Sequence, residues 1–203
     1  MRLGTRAEAL DLAASAVRLT GGDLVQADRI LLTTGGSARK LNMEGADAAN
    51  VHYLRTRDDA TRMATDLRDG ARIVIIGMGV IGAEVAASAV KLGCRVTAIE
   101  PLAAPMIRAL GPQFGQWLGE EHRQRGVDTR FGRGVNAMKV LDGRVTQVEL
   151  DDGSLVDCDA VVVGVGIVPE ISLARDAGIV TNNGIIVDRQ CRTSNEKIGR
   201  AHV

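Results

Sequence analysis

The sequence of 203 residues is poor in aromatic side chains, with two Phe, one Tyr and one Trp, so its core must be built mainly from aliphatic residues. It also has only three cysteines, Cys94, Cys158 and Cys191, which lie far apart and form no C-x-x-C pair. An odd number of widely spaced cysteines argues against a disulfide framework and predicts small buried or incidental thiols. The three histidines also lack the spacing of metal ligands, so we predict no metal site.

The sequence has no excess of charge of either sign, because 25 Lys and Arg residues balance 25 Asp and Glu residues. This balance argues against a protein that binds nucleic acid or an anionic membrane, which would usually be basic. No apolar run approaches the roughly 20 residues that span a bilayer, and the first residues lack the apolar core of a signal peptide. We therefore predict a cytoplasmic protein with neither a nucleic-acid nor a membrane partner.

Glycine, by contrast, is abundant, with 24 residues, and one cluster of glycines carries the strongest signal. The continuous apolar run over 72–76 predicts a parallel strand that is buried on both faces. The motif G-x-G-x-x-G follows at 77–82, and the composition of 83–92 predicts a helix that ends at a glycine. A second strand is predicted over 95–100. This order of strand, glycine turn, helix and strand is typical of a dinucleotide-binding unit.

Each glycine of the motif has a physical role in binding a dinucleotide. Gly77 permits the tight turn, Gly79 lets the backbone approach a pyrophosphate, and Gly82 lets the helix pack against the strand. The phosphates would lie at the helix N-terminus, beside Val80 and Ile81, where free N–H groups and the helix dipole favour negative charge. The alternative is a glycine-rich turn that binds no ligand, but the elements on both sides favour the dinucleotide site.

Two acidic residues near the motif are candidates for a role in the site. Glu100 ends the second strand 18 residues after Gly82, near the usual separation of about 20, and would accept hydrogen bonds from the adenosine ribose hydroxyls. A 2′-phosphate would be repelled by this carboxylate, and the next four residues supply no cation, so we predict NAD(H) rather than NADP(H). Glu84 lies in the first helical turn, where its spacing fits a dipole-stabilising acid and a functional residue equally well.

The remaining pattern completes an α/β fold. Three short alternating segments within 135–158, separated by two Asp-Gly turn pairs, predict an antiparallel three-stranded meander. Residues 159–164 return to a buried parallel strand. We therefore predict a Rossmann-like parallel sheet with the meander packed on it. Further predicted elements are strands over 16–20, 28–34 and 127–131 and helices over 57–67, 112–125 and 169–177.

Four segments outside the glycine motif add a second pattern. They are L-L-T-T-G-G-S-A-R at 31–39, V-H-Y-L-R-T at 51–56, residues 159–169 with G-x-G at 164–166, and R-T-S at 192–194. Together with residues 77–84, they resemble the ferredoxin/rubredoxin reductase type of FAD-dependent pyridine nucleotide–disulfide oxidoreductases. The resemblance covers nearly the whole chain.

This resemblance implies a reaction and a set of site residues. A hydride would pass from NADH to FAD, and single electrons would then pass to a small iron–sulfur protein, either a ferredoxin or a rubredoxin. Glu84 would be the catalytic residue, near the nicotinamide and the flavin. The resemblance further implies that Thr34, Gly35 and Arg39 contact FAD and that Gly164 and Gly166 lie in the segment beside the nicotinamide.

The chain also departs from this family. No G-x-G-x-x-G precedes residue 77, no A-G-D stretch follows Thr193-Ser194, and Val80 stands where the family usually has an aromatic residue. We therefore predict an internal fragment, with a partial FAD-binding domain at 1–49, an NAD(H)-binding domain at 50–168, and the start of a second FAD-domain segment at 169–203. We also hypothesise that the tail 198–203 is read-through of a sequencing-library adaptor, which one back-translation of it resembles.

The leading hypothesis is the NADH-binding portion of an FAD-dependent NADH:ferredoxin/rubredoxin oxidoreductase, inactive as an isolated chain. One alternative is a non-enzymatic NAD-sensing Rossmann module, although such a sensor would not need the FAD-type segments near Gly35 and Thr193. A second alternative is a complete NAD-dependent dehydrogenase. The only tyrosine, Tyr53, is followed four residues later by Arg57 rather than a lysine, so a short-chain Tyr/Lys arrangement is absent.

Overall fold

The computed structural model describes residues 1–201 of the chain. The last two residues, which belong to the tail in the adaptor hypothesis, lie outside this range, and that hypothesis stays a prediction. The chain forms two compact units. One unit combines residues 1–37 with the segment that begins at Ile167, and the other is Ala38–Gly166.

Over residues 1–201, the two units together consist of short strands and four helices. In chain order the strands are β1 (Ala7–Asp11), β2 (Ala16–Leu19), β3 (Leu24–Gln26), β4 (Ile30–Leu32), β5 (Gly36–Ala38), β6 (Val51–Tyr53), β7 (Arg72–Ile76), β8 (Arg95–Glu100), β9 (Asp128–Phe131), β10 (Val135–Leu141), β11 (Arg144–Leu150), β12 (Leu155–Asp157), β13 (Ala160–Val163), β14 (Ile167–Pro169), β15 (Thr181–Asn182), β16 (Gly184–Ile185) and β17 (Ile198–Arg200). The helices are α1 (Arg57–Ala64), α2 (Val80–Lys91), α3 (Ile107–Gln124) and α4 (Ser172–Asp176). Within the described residues, no helix combines the length and the apolar character needed to cross a membrane.

The unit Ala38–Gly166 is built on a parallel five-stranded sheet in the order β6-β13-β7-β8-β9. Its central strands β7 and β13 are apolar and buried along almost their whole length, as expected for strands that are covered on both faces. On one face, side chains of α2 such as Val85, Ala86 and Ala89 pack against Ile73 and Ile75. The predicted Rossmann-like sheet is therefore confirmed.

The other face of this sheet is covered by the antiparallel meander β10-β11-β12. Met138, Val148 and Leu150 of the meander pack in one cluster with Val74 and Ile99 of the sheet. The two turns of the meander contain the predicted Asp-Gly pairs, and both second positions have the positive φ angles that glycine adopts without strain. The predicted meander and its packing on the sheet are confirmed.

A buried asparagine joins the meander to the sheet. The side chain of Asn50 donates to the backbone oxygens of Val145 and Asp159, each at 2.8 Å, and its Oδ1 accepts from the Val145 N–H at 2.8 Å. All the polar atoms of this amide thus have good partners although the residue is buried. The sequence gives no signal for this role, because the partners lie 95 and 109 residues away.

Helices α1 and α3 show how local residues set helix ends. Helix α1 starts with a capping box between Thr56 and Asp59. It ends three residues before the predicted position, and in the turn that follows the side chain of Asp66 pairs with His52. Helix α3 begins earlier than predicted but is broken at Gly111, which has a φ of 81°. Pro112 starts the long straight part, as predicted, because proline fits the first turn of a helix and disfavours a helical residue before it.

The unit that contains both termini has only small sheets. Strands β1, β2 and β3 form an antiparallel meander, β4 pairs in parallel with β17, β5 pairs with β14, and β15 pairs with β16. The sequence predicted β2 and β4 but missed β1 and β3. Every residue of β3 is exposed, so it has no alternation of buried and exposed positions that could reveal a strand.

Candidate functional site

The glycine motif forms the turn between β7 and α2. Gly77 has a φ of 90°, and its N–H donates to the oxygen of Ile99 in β8 at 2.8 Å. Gly79 caps α2, and no side chain caps this helix, while the first bond within the helix joins the Ala83 N–H to the Gly79 oxygen at 2.9 Å. The amides of the first turn, including those of Val80 and Ile81, therefore precede the first helical hydrogen bond, which makes this end suited to an anion.

The surroundings of the three glycines differ in a way that fits a bound dinucleotide. A methyl group on Gly82 would lie 1.9 Å from the Gly77 oxygen, and one on Gly77 would lie 2.7 Å from the Gly164 oxygen. A methyl group on Gly79 would meet only the Gly164 oxygen, at 3.9 Å. Gly77 and Gly82 are thus required for packing of the chain itself, whereas Gly79 leaves open space before the helix N-terminus where a pyrophosphate fits.

Glu100 lies against this turn. Its Oε2 accepts a hydrogen bond from the Met78 N–H at 2.8 Å, and its Oε1 accepts one from the Leu102 N–H at 3.1 Å. The side chain is partly exposed, and a carboxylate has about four acceptor positions. Glu100 therefore keeps acceptor capacity for a ribose hydroxyl beside the glycine turn, and the structure brings together the motif and the acid.

Two connectors that sequence reasoning missed hold this arrangement. In the loop before α3, the Met106 N–H donates to the Met78 oxygen at 3.2 Å. In the connector after β9, the Gly132 N–H donates to the Leu102 oxygen at 2.9 Å, and the Arg133 N–H donates to the Glu100 oxygen at 3.2 Å. All of these are backbone contacts between distant segments, so no side-chain pattern could have revealed them.

Glu84 lies on the exposed face of α2, one turn into the helix. It lines one end of a mainly apolar groove of about 540 Å³ between α2 and α3. The wall on the α3 side carries the pair Phe114 and Trp117, whose ring centroids are 5.4 Å apart. The carboxylate is therefore accessible at the same helix end as the glycine turn, and its catalytic role stays a prediction.

Gly164 and Gly166 follow β13, the central strand next to β7. The Gly164 N–H donates to the Ile76 oxygen at 2.8 Å, and a methyl group on Gly164 would lie 3.2 Å from the Gly82 nitrogen. Gly166 is exposed, with a φ of 106°. The structure therefore places Gly164 against the glycine motif and leaves Gly166 at the open end of this segment.

The residues expected to contact FAD are divided between the two units. In the unit with both termini, Thr34 Oγ1 donates to the Glu170 oxygen at 2.6 Å, and Gly35 adopts a φ of 67°. In the other unit, the Arg39 N–H donates to the Gly166 oxygen at 2.9 Å. Their contact with FAD stays a prediction.

Burial and ion pairing also shift the pKa of groups outside the glycine motif. Burial raises the pKa of the Cys158 thiol to about 12, and burial together with nearby Arg125 lowers the pKa of His122. Arg72 holds the pKa of Asp159 below its usual value through a hydrogen bond at 2.7 Å. Across residues 1–201, no cluster of three His, Cys, Asp or Glu side chains could hold a metal ion.

Comparison with known proteins identifies relatives over almost the whole chain. The family model described as pyridine nucleotide-disulphide oxidoreductase matches residues 1–198. The ferredoxin–NAD(P)(+) reductase of Sphingomonas sp. is 41% identical over 194 residues, which are 96% of this chain and 47% of that protein. The rubredoxin–NAD(+) reductase of Pseudomonas putida is 35% identical over 196 residues, which are 97% of this chain and 51% of that protein.

Solved structures give the same picture. The ferredoxin reductase of the CYP199A2 system from Rhodopseudomonas palustris superposes with a TM-score of 0.90 at 33% identity, over 98% of this chain and 49% of that one. A covalent putidaredoxin reductase–putidaredoxin complex matches with a TM-score of 0.87 at 34% identity, over 97% of this chain and 48% of that one. The chain thus spans about half the length of the relatives that it matches.

Proposed function

The chain belongs to the pyridine nucleotide-disulphide oxidoreductase family, and we propose that it is the NADH-binding part of an FAD-dependent reductase that passes electrons to a ferredoxin or a rubredoxin. Relatives named as ferredoxin and rubredoxin reductases support this assignment. So does a solved structure in which a reductase is joined to putidaredoxin. Location in the cytoplasm stays a prediction.

The observation that carries the proposal is the contact between Glu100 and the glycine turn. The carboxylate is 2.8 Å from the amide of Met78, between the first two glycines of the motif. A ribose hydroxyl bound by Glu100 and a pyrophosphate bound at the start of α2 would therefore be adjacent, as they are within one nucleotide.

The domain assignment is part of this proposal. Residues 50–168 would bind NAD(H), and residues 1–49 and 169–203 would belong to the FAD-binding part of the whole protein. The compact unit Ala38–Gly166 supports this division, since it contains the complete parallel sheet and its meander. Thr34, Gly35 and Arg39 are proposed to contact FAD.

When bound, the nicotinamide and the flavin supply the hydride and single-electron chemistry. The residues of this chain bind and orient: the amides around Val80 and Ile81 hold the pyrophosphate, and Glu100 selects the ribose. Gly164 packs closely against the glycine turn, where it leaves little room for a side chain. Glu84, exposed on the first turns of α2, is proposed to face the nicotinamide together with Gly166.

The experiment is a fluorescence titration of the purified chain with NADH and with NADPH, repeated for Glu100→Gln. We expect NADH to bind more tightly than NADPH, because the 2′-phosphate is repelled by the carboxylate. In Glu100→Gln, the NADH affinity should fall by about tenfold or more, since a hydrogen bond to a charged acceptor contributes about 1.5–3 kcal/mol. Equal binding of the two nucleotides by the natural sequence would contradict the role of Glu100.

The same preparation separates the proposal from a non-enzymatic NAD-sensing module. Both would bind NADH, but only a reductase part is expected to retain or take up any flavin, which has a characteristic absorbance in the visible range. Binding of NADH together with any flavin uptake at a large excess of FAD would therefore exclude the sensor.

A further inference from the structure

The connector 132–134, between β9 and β10, contacts the segment that carries Glu100. The Arg133 N–H donates to the Glu100 oxygen at 3.2 Å, and the Gly132 N–H donates to the Leu102 oxygen at 2.9 Å. Leu102 in turn donates its N–H to the Glu100 carboxylate at 3.1 Å. The connector therefore fixes both ends of the short segment that orients this carboxylate.

The same connector is attached to the meander on its other side. Arg133 Nε lies 3.1 Å from Asp152 Oδ2, and its Nη1 lies 3.9 Å from Asp151 Oδ1, both in the turn between β11 and β12. The Gly134 N–H donates to Asp151 Oδ2 at 2.8 Å. Arg133 thus contacts the meander turn with its side chain and the Glu100 backbone with its amide.

The turn between β11 and β12 is itself held by hydrogen bonds. Asp152 accepts hydrogen bonds from the Ser154 N–H at 3.0 Å and from the Ser154 hydroxyl at 2.6 Å. These bonds, with a smaller contribution from Arg133, hold the pKa of Asp152 below its usual value, so that it stays an anion. Arg133 is therefore paired with a carboxylate whose position and charge are already set.

We infer that Arg133 is a positioning residue for nucleotide selectivity, because it transmits the support of the meander turn to the carboxylate of Glu100. This inference rests on the proposed function, in which Glu100 binds the adenosine ribose. Selectivity against a 2′-phosphate requires a carboxylate that cannot move aside. A loosened segment 100–102 lets Glu100 rotate away from the phosphate, while it also weakens the hydrogen bond to the NADH ribose.

The sequence gives no sign of this role. Arg133 lies 33 residues after Glu100, in a connector between two glycines. The four residues after Glu100 contain no cation. Arg133, just beyond the end of the neighbouring strand, is a cation, and its guanidinium pairs with Asp151 and Asp152. The meander therefore does more than cover the sheet, since one of its turns acts on the ribose end of the site.

The test is the ratio of the NADPH and NADH dissociation constants, measured by titrating the full chain and its variants. In Arg133→Ala, we expect NADH to bind three- to fivefold more weakly and NADPH to bind no more weakly, so the ratio falls three- to fivefold. That size lies at the upper end of what a half-exposed ion pair contributes. Asp152→Asn removes the same ion pair from the other side and should lower the ratio similarly. Arg133→Lys keeps a cation at this position and should therefore keep the ratio close to that of the natural sequence.

Arg130→Ala is the matched control. Arg130 lies on β9 and pairs at 3.0 Å with Asp128, which is on the same strand, so its loss should leave the ratio unchanged. A ratio that stays constant in Arg133→Ala, whether or not both nucleotides bind more weakly, would show a merely structural role and overturn the inference. A natural sequence that binds no NADH would instead refute the proposed function, and the inference with it.

Discussion

The two compact units of this chain differ in the size of their sheets and in the number of apolar clusters that cover them. Ala38–Gly166 has a continuous parallel sheet with an apolar cluster on each face. The unit with both termini has sheets of two or three strands and one apolar cluster. In β7 all four apolar residues are buried, whereas in β4 Leu32 is 4% exposed and its neighbour Leu31 is 62% exposed.

This difference separates the surroundings of the two candidate sites. The dinucleotide turn depends on a strand, a helix and a second strand that are all present in one unit, and Glu100 contacts the turn directly. Thr34 and Gly35, which are expected to contact FAD, lie instead between two strands of three residues, β4 and β5. The comparison predicts that the nucleotide site works on its own unit and tolerates damage to the other.

The largest expected effect comes from a methyl group in the glycine turn. Gly82→Ala would place a carbon 1.9 Å from the Gly77 oxygen, and the backbone must move, at a cost on the order of 3 kcal/mol or more in the free energy of unfolding. NADH binding should be lost as well. Urea unfolding and an NADH titration measure both effects.

Gly79→Ala is the matched control for that variant, because a methyl group there has open space within the chain. We expect its stability to change by less than about 1 kcal/mol, whereas its NADH affinity falls at least tenfold, since the methyl group occupies the path of the pyrophosphate. Equal destabilisation of the two variants would contradict the distinct roles of these glycines.

An intermediate effect is expected in the other unit. Leu32→Ala removes a buried side chain from the cluster that includes Leu10 and Ile198, which should lower the stability of this unit by about 2–5 kcal/mol. NADH affinity should not change, because the nucleotide site lies in the other unit. Limited proteolysis at rising temperature, with Leu31→Ala as an exposed control, would show which unit is cleaved first. A loss of NADH binding in Leu32→Ala would mean that the two units are not independent.

The smallest effect concerns alkaline pH. Burial raises the pKa of Cys158 from 9.0 to about 12, so above pH 9 the unfolded chain loses a proton that the folded chain keeps. The contribution of the Cys158 thiol to the free energy of unfolding is therefore complete below pH 9. It is lost as the pH rises from 9 towards 12, by at most about 1.4 kcal/mol per pH unit. Urea unfolding at pH 8 and pH 10 should show a smaller decrease in Cys158→Ala than in the natural sequence. Cys191→Ala, at a half-buried site, is the control and should behave like the natural sequence.

Periodicity and turn residues were sufficient for the parts of the fold that depend on local sequence. The run of Ile and Val before Gly77 and the Asp-Gly turns predicted the parallel strand and the meander, and both are present. Asn50 and Arg133 could not be predicted, because their functions depend on partners that are distant in sequence. Strand β3 was missed because none of its residues is buried.

The most direct test of the central claim is the amide NMR spectrum of the isotope-labelled chain during an NADH titration. The account predicts chemical-shift changes in residues 77–82 and 100–102, extending to Gly164, with signals from residues 1–32 and 172–201 unchanged. Shifts confined to the unit with both termini, or no shifts at saturating NADH, would contradict the claim that Ala38–Gly166 is a working NADH-binding domain.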